Sequence, residues 1–167
     1  MASDHQCPGE AAFNDGSASA DNWSYLIVDD NPAALATLRT LMMMIGLEPP
    51  LEASGGQEAM DLVRSSDLDC IITDLRMEPM NGIDFIRWVR GSNEARTASI
   101  KILAISAYRD AAEIAGVEDA GANGFLSKPL TIRSLRRAIA SLQAPTGDFV
   151  DISATPGPSA KITGSGR

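Results

Sequence analysis

The chain has 167 residues and a formal net charge of −8, from 14 basic and 22 acidic side chains. That balance disfavours a large nucleic-acid footprint, since phosphate backbones select basic surfaces, and Arg133, Arg136 and Arg137 are too small a basic cluster to argue otherwise. No apolar run approaches the ~20 residues that span a bilayer, no basic patch followed by a hydrophobic stretch opens the chain, and His5, Cys7 and Cys70 lack zinc-ligand spacing, so no membrane partner and a cytoplasmic location are the default expectations.

Residues 1–22 are rich in Ala, Ser, Asp, Asn and Gly, without periodicity, and read as a disordered extension. Tyr25 to Val28 is a short apolar run, hence a buried strand. Pro32 opens a helix, where a missing amide costs nothing. Leu35, Leu38, Met42 and Ile45 form its core stripe, and Gly46 closes it. Met42, Met43 and Met44 cannot all face the core, so Met43 or Met44 is expected at the surface. Next comes a weak strand over 50–53, placed at a sheet edge by its neighbouring prolines. A helix over 57–65 turns Ala59, Leu62 and Val63 inward. A dense strand over 68–73 precedes a helix over 82–90 whose apolar face is Ile83, Ile86 and Val89. The fourth strand spans 100–105 and the fourth helix 111–120. GANGFLS makes a turn and a fifth strand. The last helix, 131–142, carries Ile132, Leu135, Ile139 and Leu142 at packing distance. Residues 144–167 read as a flexible tail, in which the FVDI segment (149–152) is open between an added strand and a docking tag. Five strand–helix pairs within 23–143 predict one doubly wound α/β domain with helices on both faces of a parallel sheet.

Five polar residues stand at the ends of apolar runs: Asp29 and Asp30 after YLIV, Asp74 after CIIT, Ser106 after KILAI, and Lys128 after GFLS. In an open parallel sheet the carboxyl ends of the strands share one edge, and ligands bind there. Three acids, a hydroxyl and an ammonium at one edge suit a metal and a phosphoryl group.

LIVDDNPAAL (26–35), IITDLRMEPMNG (71–82), ILAISA (102–107) and FLSKP (125–129) together resemble the receiver domain of bacterial two-component response regulators. Each motif alone is weak, and the four in order are strong. The resemblance spans roughly 23–142 and implies a five-stranded sheet of order 2-1-3-4-5. It implies that Asp74 takes a phosphoryl group from a sensor histidine kinase or a histidine phosphotransfer protein. Mg²⁺ would be held by Asp29, Asp30, Asp74 and the backbone carbonyl of Arg76, a set of hard oxygens suited to that ion. Lys128 would neutralise the phosphoryl oxygens, aimed inward by a cis bond to Pro129. Ser106 would donate to the new phosphoryl group and Phe125 would follow by packing, changing the surface of the fourth helix, fifth strand and fifth helix. Arg76 and Tyr108 would set how fast water removes the group. The chain would catalyse its own phosphorylation and dephosphorylation without turning over a separate substrate. A homodimer through the fourth and fifth helices is open, as are relay, phosphate-sink and direct-regulator roles for a single-domain receiver.

One position departs from the pattern. The family usually has proline four residues after the acceptor, where this chain has Glu78 and then Pro79. Glu78 is the best support for the alternative, a pseudo-receiver that binds partners without taking phosphate. A small aspartate-dependent phosphohydrolase would want a second acid to protonate a leaving group, and none stands out. A flavin would want a phosphate-cradling loop where Asp29 and Asp30 sit.

Overall fold

The computed structural model describes residues 22–145 and 147–153. A parallel sheet of order β2-β1-β3-β4-β5-β6 forms the centre. Its strands are β1 (Tyr25–Val28), β2 (Leu51–Ala53), β3 (Cys70–Asp74), β4 (Lys101–Ser106), β5 (Gly124–Ser127) and β6 (Val150–Asp151). The helices are α1 (Pro32–Met44), α2 (Gly56–Ser65), α3 (Gly82–Arg90), α4 (Ala95–Ser99), α5 (Ala111–Asp119) and α6 (Ile132–Gln143). The expected five-strand order is present within this sheet. The fourth and fifth helices of the sequence reading are α5 and α6, because the short α4 precedes β4.

Side-chain alternation along the strands builds two cores. Leu26, Val28, Ile71, Ile102, Ala104 and Phe125 face the layer made by α2, α3 and α5, meeting Ala59, Val63, Phe85, Ile86, Val89 and Val117. Tyr25, Ile27, Ile72, Leu103, Ile105 and Leu126 face α1 and α6, meeting Leu35, Leu38, Met42, Leu135, Ile139 and Leu142. Burying each such aliphatic side chain favours folding by about 1.5–3 kcal/mol, which is why β1 is apolar on both faces, as is β3 up to Thr73 and its terminal Asp74. β2, with Leu51 exposed, is an edge strand as its prolines predicted. Met42 is buried, and Met43 and Met44 are both exposed.

The ends of α1 follow local chemistry. Asn31 caps it by accepting from the Ala33 amide at 2.9 Å, so neither Asp29 nor Asp30 is used as the cap. Gly46 takes φ +90° just beyond the helix, a conformation that disfavours side chains. Gly82 answers a different need. A Cβ there would lie 2.2 Å from the carbonyl oxygen of Asp74, so only glycine lets α3 start against the end of β3.

The C-terminal segment resolves the open choice for FVDI in favour of a strand. β6 pairs in parallel with β5, Gly124 opposite Val150 and Phe125 opposite Asp151. Ile152 is buried with the α1–α6 core, and Phe149 packs on the opposite layer. Apart from Asn22, the N-terminal extension lies outside the described residues, as do residues 154–167.

Candidate functional site

The strand order brings the ends of β1, β3, β4 and β5 side by side. Asp29 and Asp74 are buried acids on neighbouring strands, and Lys128 reaches both from the end of β5. Its Nζ lies 2.7 Å from Asp74 Oδ1 and 3.1 Å from Asp29 Oδ2. The remaining oxygens are also used. Asp74 Oδ2 accepts from the Arg76 amide at 2.7 Å, and Asp29 Oδ1 accepts from the Asn31 amide at 2.9 Å. Each carboxylate is therefore held by one backbone donor and one shared cation.

Lys128 stays charged here. Burial is the largest single influence and pulls its pKa down, but the hydrogen bonds and charges of Asp74 and Asp29 together outweigh it and leave a net upward shift. The backbone fixes its origin: the Lys128 amide donates to the Ser106 carbonyl at 2.8 Å, and the Lys128–Pro129 bond is cis.

Asp30 is more exposed. Its Oδ2 accepts from the Glu78 amide at 3.3 Å, which links the loop after β1 to the loop after β3. The Glu78–Pro79 bond is also cis, a feature that no residue pattern announced. Glu78 itself is exposed.

Ser106 stands at the end of β4, almost fully buried, but its hydroxyl is not bonded to Asp74. It donates to Glu113 Oε2 at 2.8 Å and accepts from the Tyr108 amide at 3.1 Å. The other oxygen of Glu113 pairs with Arg76 Nη2 at 3.3 Å. The Arg76 guanidinium in turn lies over the Tyr108 ring, 4.1 Å from its centroid. Ser106, Glu113, Arg76 and Tyr108 thus form one connected group beside the acids. Glu113 went unremarked in the sequence. It sits in the first turn of α5, where an acid is ordinary because it favours the helix dipole. Phe125 is fully buried in the α2–α5 layer.

Three carboxylates against one ammonium leave the pocket negative, and all its side-chain donors are hard oxygens. That chemistry fits a small divalent cation. Among the described residues, however, no three acidic, cysteine or histidine side chains converge as a preformed ligand cluster. Lys128 is the counter-ion of Asp29 and Asp74. An open cleft of about 450 Å³ leads to these residues from the α1 side, lined by Ala33, Ala34, Leu38, Pro129 and Leu130 as well as by Asp29, Asp74 and Lys128.

A doubly wound sheet with an acid–lysine pocket at its carboxyl edge is the arrangement that the motifs anticipated. The family model for the response regulator receiver domain matches residues 25–140. The chain is 30% identical over 118 residues to chemotaxis protein CheY-3 of Vibrio cholerae serotype O1, covering 71% of this chain and 89% of that protein. It is 32% identical to chemotaxis protein CheY of Pseudomonas aeruginosa, covering 68% and 90%. A crystal structure of a response regulator receiver protein from Pseudomonas putida superposes with a TM-score of 0.63 at 31% identity, covering 70% and 93%. The chain belongs to the response regulator receiver domain family. Among the described residues no helix is long and apolar enough to cross a membrane.

Proposed function

We propose that Asp74 is the phosphoacceptor of a two-component or phosphorelay pathway, and that the chain passes on its state through the surface of α5, β5 and α6. The supporting observation is the paired contact of Lys128 with Asp74 and Asp29 at 2.7 and 3.1 Å. Those contacts put a fixed positive charge beside a carboxylate nucleophile. An anionic donor and an anionic nucleophile repel each other, so such neutralisation is the chief help a protein can give. In the step itself, a carboxylate oxygen of Asp74 attacks phosphorus in a phosphohistidine partner. The new P–O bond forms as the P–N bond breaks, and the freed imidazole takes up a proton.

Asp29, Asp30, Asp74 and the Arg76 carbonyl would hold Mg²⁺, which supplies further positive charge against the phosphoryl oxygens. Lys128 must then turn from balancing two acids to balancing the phosphoryl group. The cleft beside α1 is the approach for the donor, a sensor histidine kinase or histidine phosphotransfer protein. The exposed Met43 and Met44 further along α1 are adaptable apolar contacts for such a partner. A cytoplasmic setting follows from that choice of donor.

Once phosphorylated, Asp74 offers Ser106 a doubly charged acceptor. Glu113 offers it one carboxylate. The phosphoryl oxygens win the Ser106 hydroxyl, the loop after β4 shifts toward β3, and Phe125 repacks beneath it.

The test is incubation with Mg²⁺ and acetyl phosphate, read by intact mass. One phosphoryl adduct in the wild type and none in Asp74→Asn is the expected result. Failure of the wild type to take up any adduct would favour a module that only binds partners.

A further inference from the structure

Residues 149–153 close an edge of the sheet that belongs to the proposed signalling surface. Their attachments are few. The Val150 amide donates to the Asn123 carbonyl at 3.1 Å and the Ile152 amide to the Phe125 carbonyl at 3.0 Å. Ser153 Oγ accepts from the Ser127 amide at 2.5 Å. Ile152 is the one buried anchor, with Phe149 and Val150 partly covered. Asp151 pairs with Arg109 at 3.2 Å, with Arg109 well exposed. A two-residue ladder with one anchor is a local unit that opens well below the free energy of global unfolding.

Three of these attachments, at Arg109, Ser127 and the Phe125 carbonyl, fall on or beside a part of the proposed switch. Arg109 is three residues past Ser106, in the loop whose Tyr108 amide is bonded to the Ser106 hydroxyl. Ser127 directly precedes Lys128. The Phe125 carbonyl, which takes the Ile152 amide, belongs to the buried aromatic of β5. Gly124 permits the close fit, since a Cβ there would lie 3.2 Å from the Val150 carbonyl oxygen.

We propose that residues 149–153 are an intramolecular strap, which covers the β5 edge while Asp74 is unmodified and leaves it when Asp74 carries a phosphoryl group. This rests on the phosphoacceptor reading above. When Ser106 leaves Glu113, the Tyr108 amide follows its hydroxyl and carries Arg109 away from Asp151. Repacking of Phe125 shifts the carbonyl that holds Ile152. The strap loses its ion pair and part of its ladder, and the β5 edge between α5 and α6 is uncovered.

The experiment is amide hydrogen exchange by NMR on the full chain, with and without Mg²⁺ and acetyl phosphate, and with intact mass taken on the same samples. The Val150 and Ile152 amides are expected to exchange about tenfold faster in the phosphorylated protein, with the Ile72 amide of central β3 unchanged. Arg109→Ala, without a phosphoryl donor, is expected to speed the same two amides by about two- to fivefold, the usual worth of a partly exposed ion pair. An adduct on Asp74 with unaltered protection at Val150 and Ile152 would overturn the strap alone and leave β6 as a permanent cover for a sheet edge. Absence of any adduct would overturn the phosphoacceptor reading, and the trigger proposed for the strap with it.

Discussion

Lys128 and Ser106 end adjacent strands, and the main chain ties them directly, yet their side chains are committed in opposite ways. Lys128 already touches Asp74 at 2.7 Å. Ser106 is turned to Glu113 at 2.8 Å, and Glu113 is itself held by Arg76. On the proposed reading, one half of the pocket is set for chemistry before any phosphoryl group arrives. The other half is held by the Glu113 carboxylate, which on the same reading occupies the hydroxyl that a phosphoryl group would take. The contrast separates two jobs. Charge neutralisation gains from being fixed in advance, because no reorganisation is then needed at the moment of transfer. Signalling requires the reverse, a contact that is made only afterwards.

Substitutions can attack each half separately. The largest effect is expected from Lys128→Ala, which removes the fixed cation and should slow phosphorylation by acetyl phosphate about 10²-fold; a rate within a few-fold of wild type would mean the preset half is not catalytic. Next is Glu113→Gln, which weakens the rival for Ser106. Loss of a charge-assisted hydrogen bond of about 1.5 kcal/mol should speed phosphorylation by roughly three- to tenfold. The gain should disappear in a Ser106→Ala background, since the two residues act through one contact. Tyr108→Ala removes the ring under Arg76 and opens the site to water. It should hasten decay of the phosphorylated protein about two- to fivefold, and unchanged decay would exclude Tyr108 as a screen against water.

The smallest effect is on stability against pH. Because the Lys128 pKa is raised in the folded state, its contribution is fully present below the ordinary lysine value, about 10.4. It is lost as pH rises through the higher folded value. The difference in urea midpoint between wild type and Lys128→Met should stay constant from about pH 7 to pH 9 and shrink above about pH 11. A difference that stays flat through and above about pH 11 would place the lysine outside the acid pair.

The acids, the serine and the lysine were legible because each ends an apolar run that can only be a buried strand, and parallel strands present such ends together. The edge position of β2 was legible from its prolines. Glu113 was not. Its role comes from a tertiary contact with Ser106, seven residues away across a loop, and nothing local sets it apart from any acid opening a helix. α4 escaped for a related reason: it is five residues long and buries only Thr97, so it leaves no periodic trace. In the sequence Arg90 is only the last residue of α3. Its half-buried guanidinium donates to the carbonyls of Ala98, Ile100 and Gly121 and to the Asn123 side chain, and burial lowers its pKa. That clasp is what fixes the approach to β4 and β5. β6 remained open because two strand residues, Val150 and Asp151, carry too little pattern to distinguish a ladder from a loose tail.

In the proposed switch, a phosphoryl group on Asp74 takes the Ser106 hydroxyl from Glu113. A crystal structure of the full chain with Mg²⁺ and beryllium trifluoride tests it most directly. Beryllium trifluoride is expected on Asp74, with Lys128 and Ser106 both bonded to its fluorines and Glu113 no longer in contact with Ser106. Beryllium trifluoride seated on Asp74 with the Ser106–Glu113 hydrogen bond intact would contradict it.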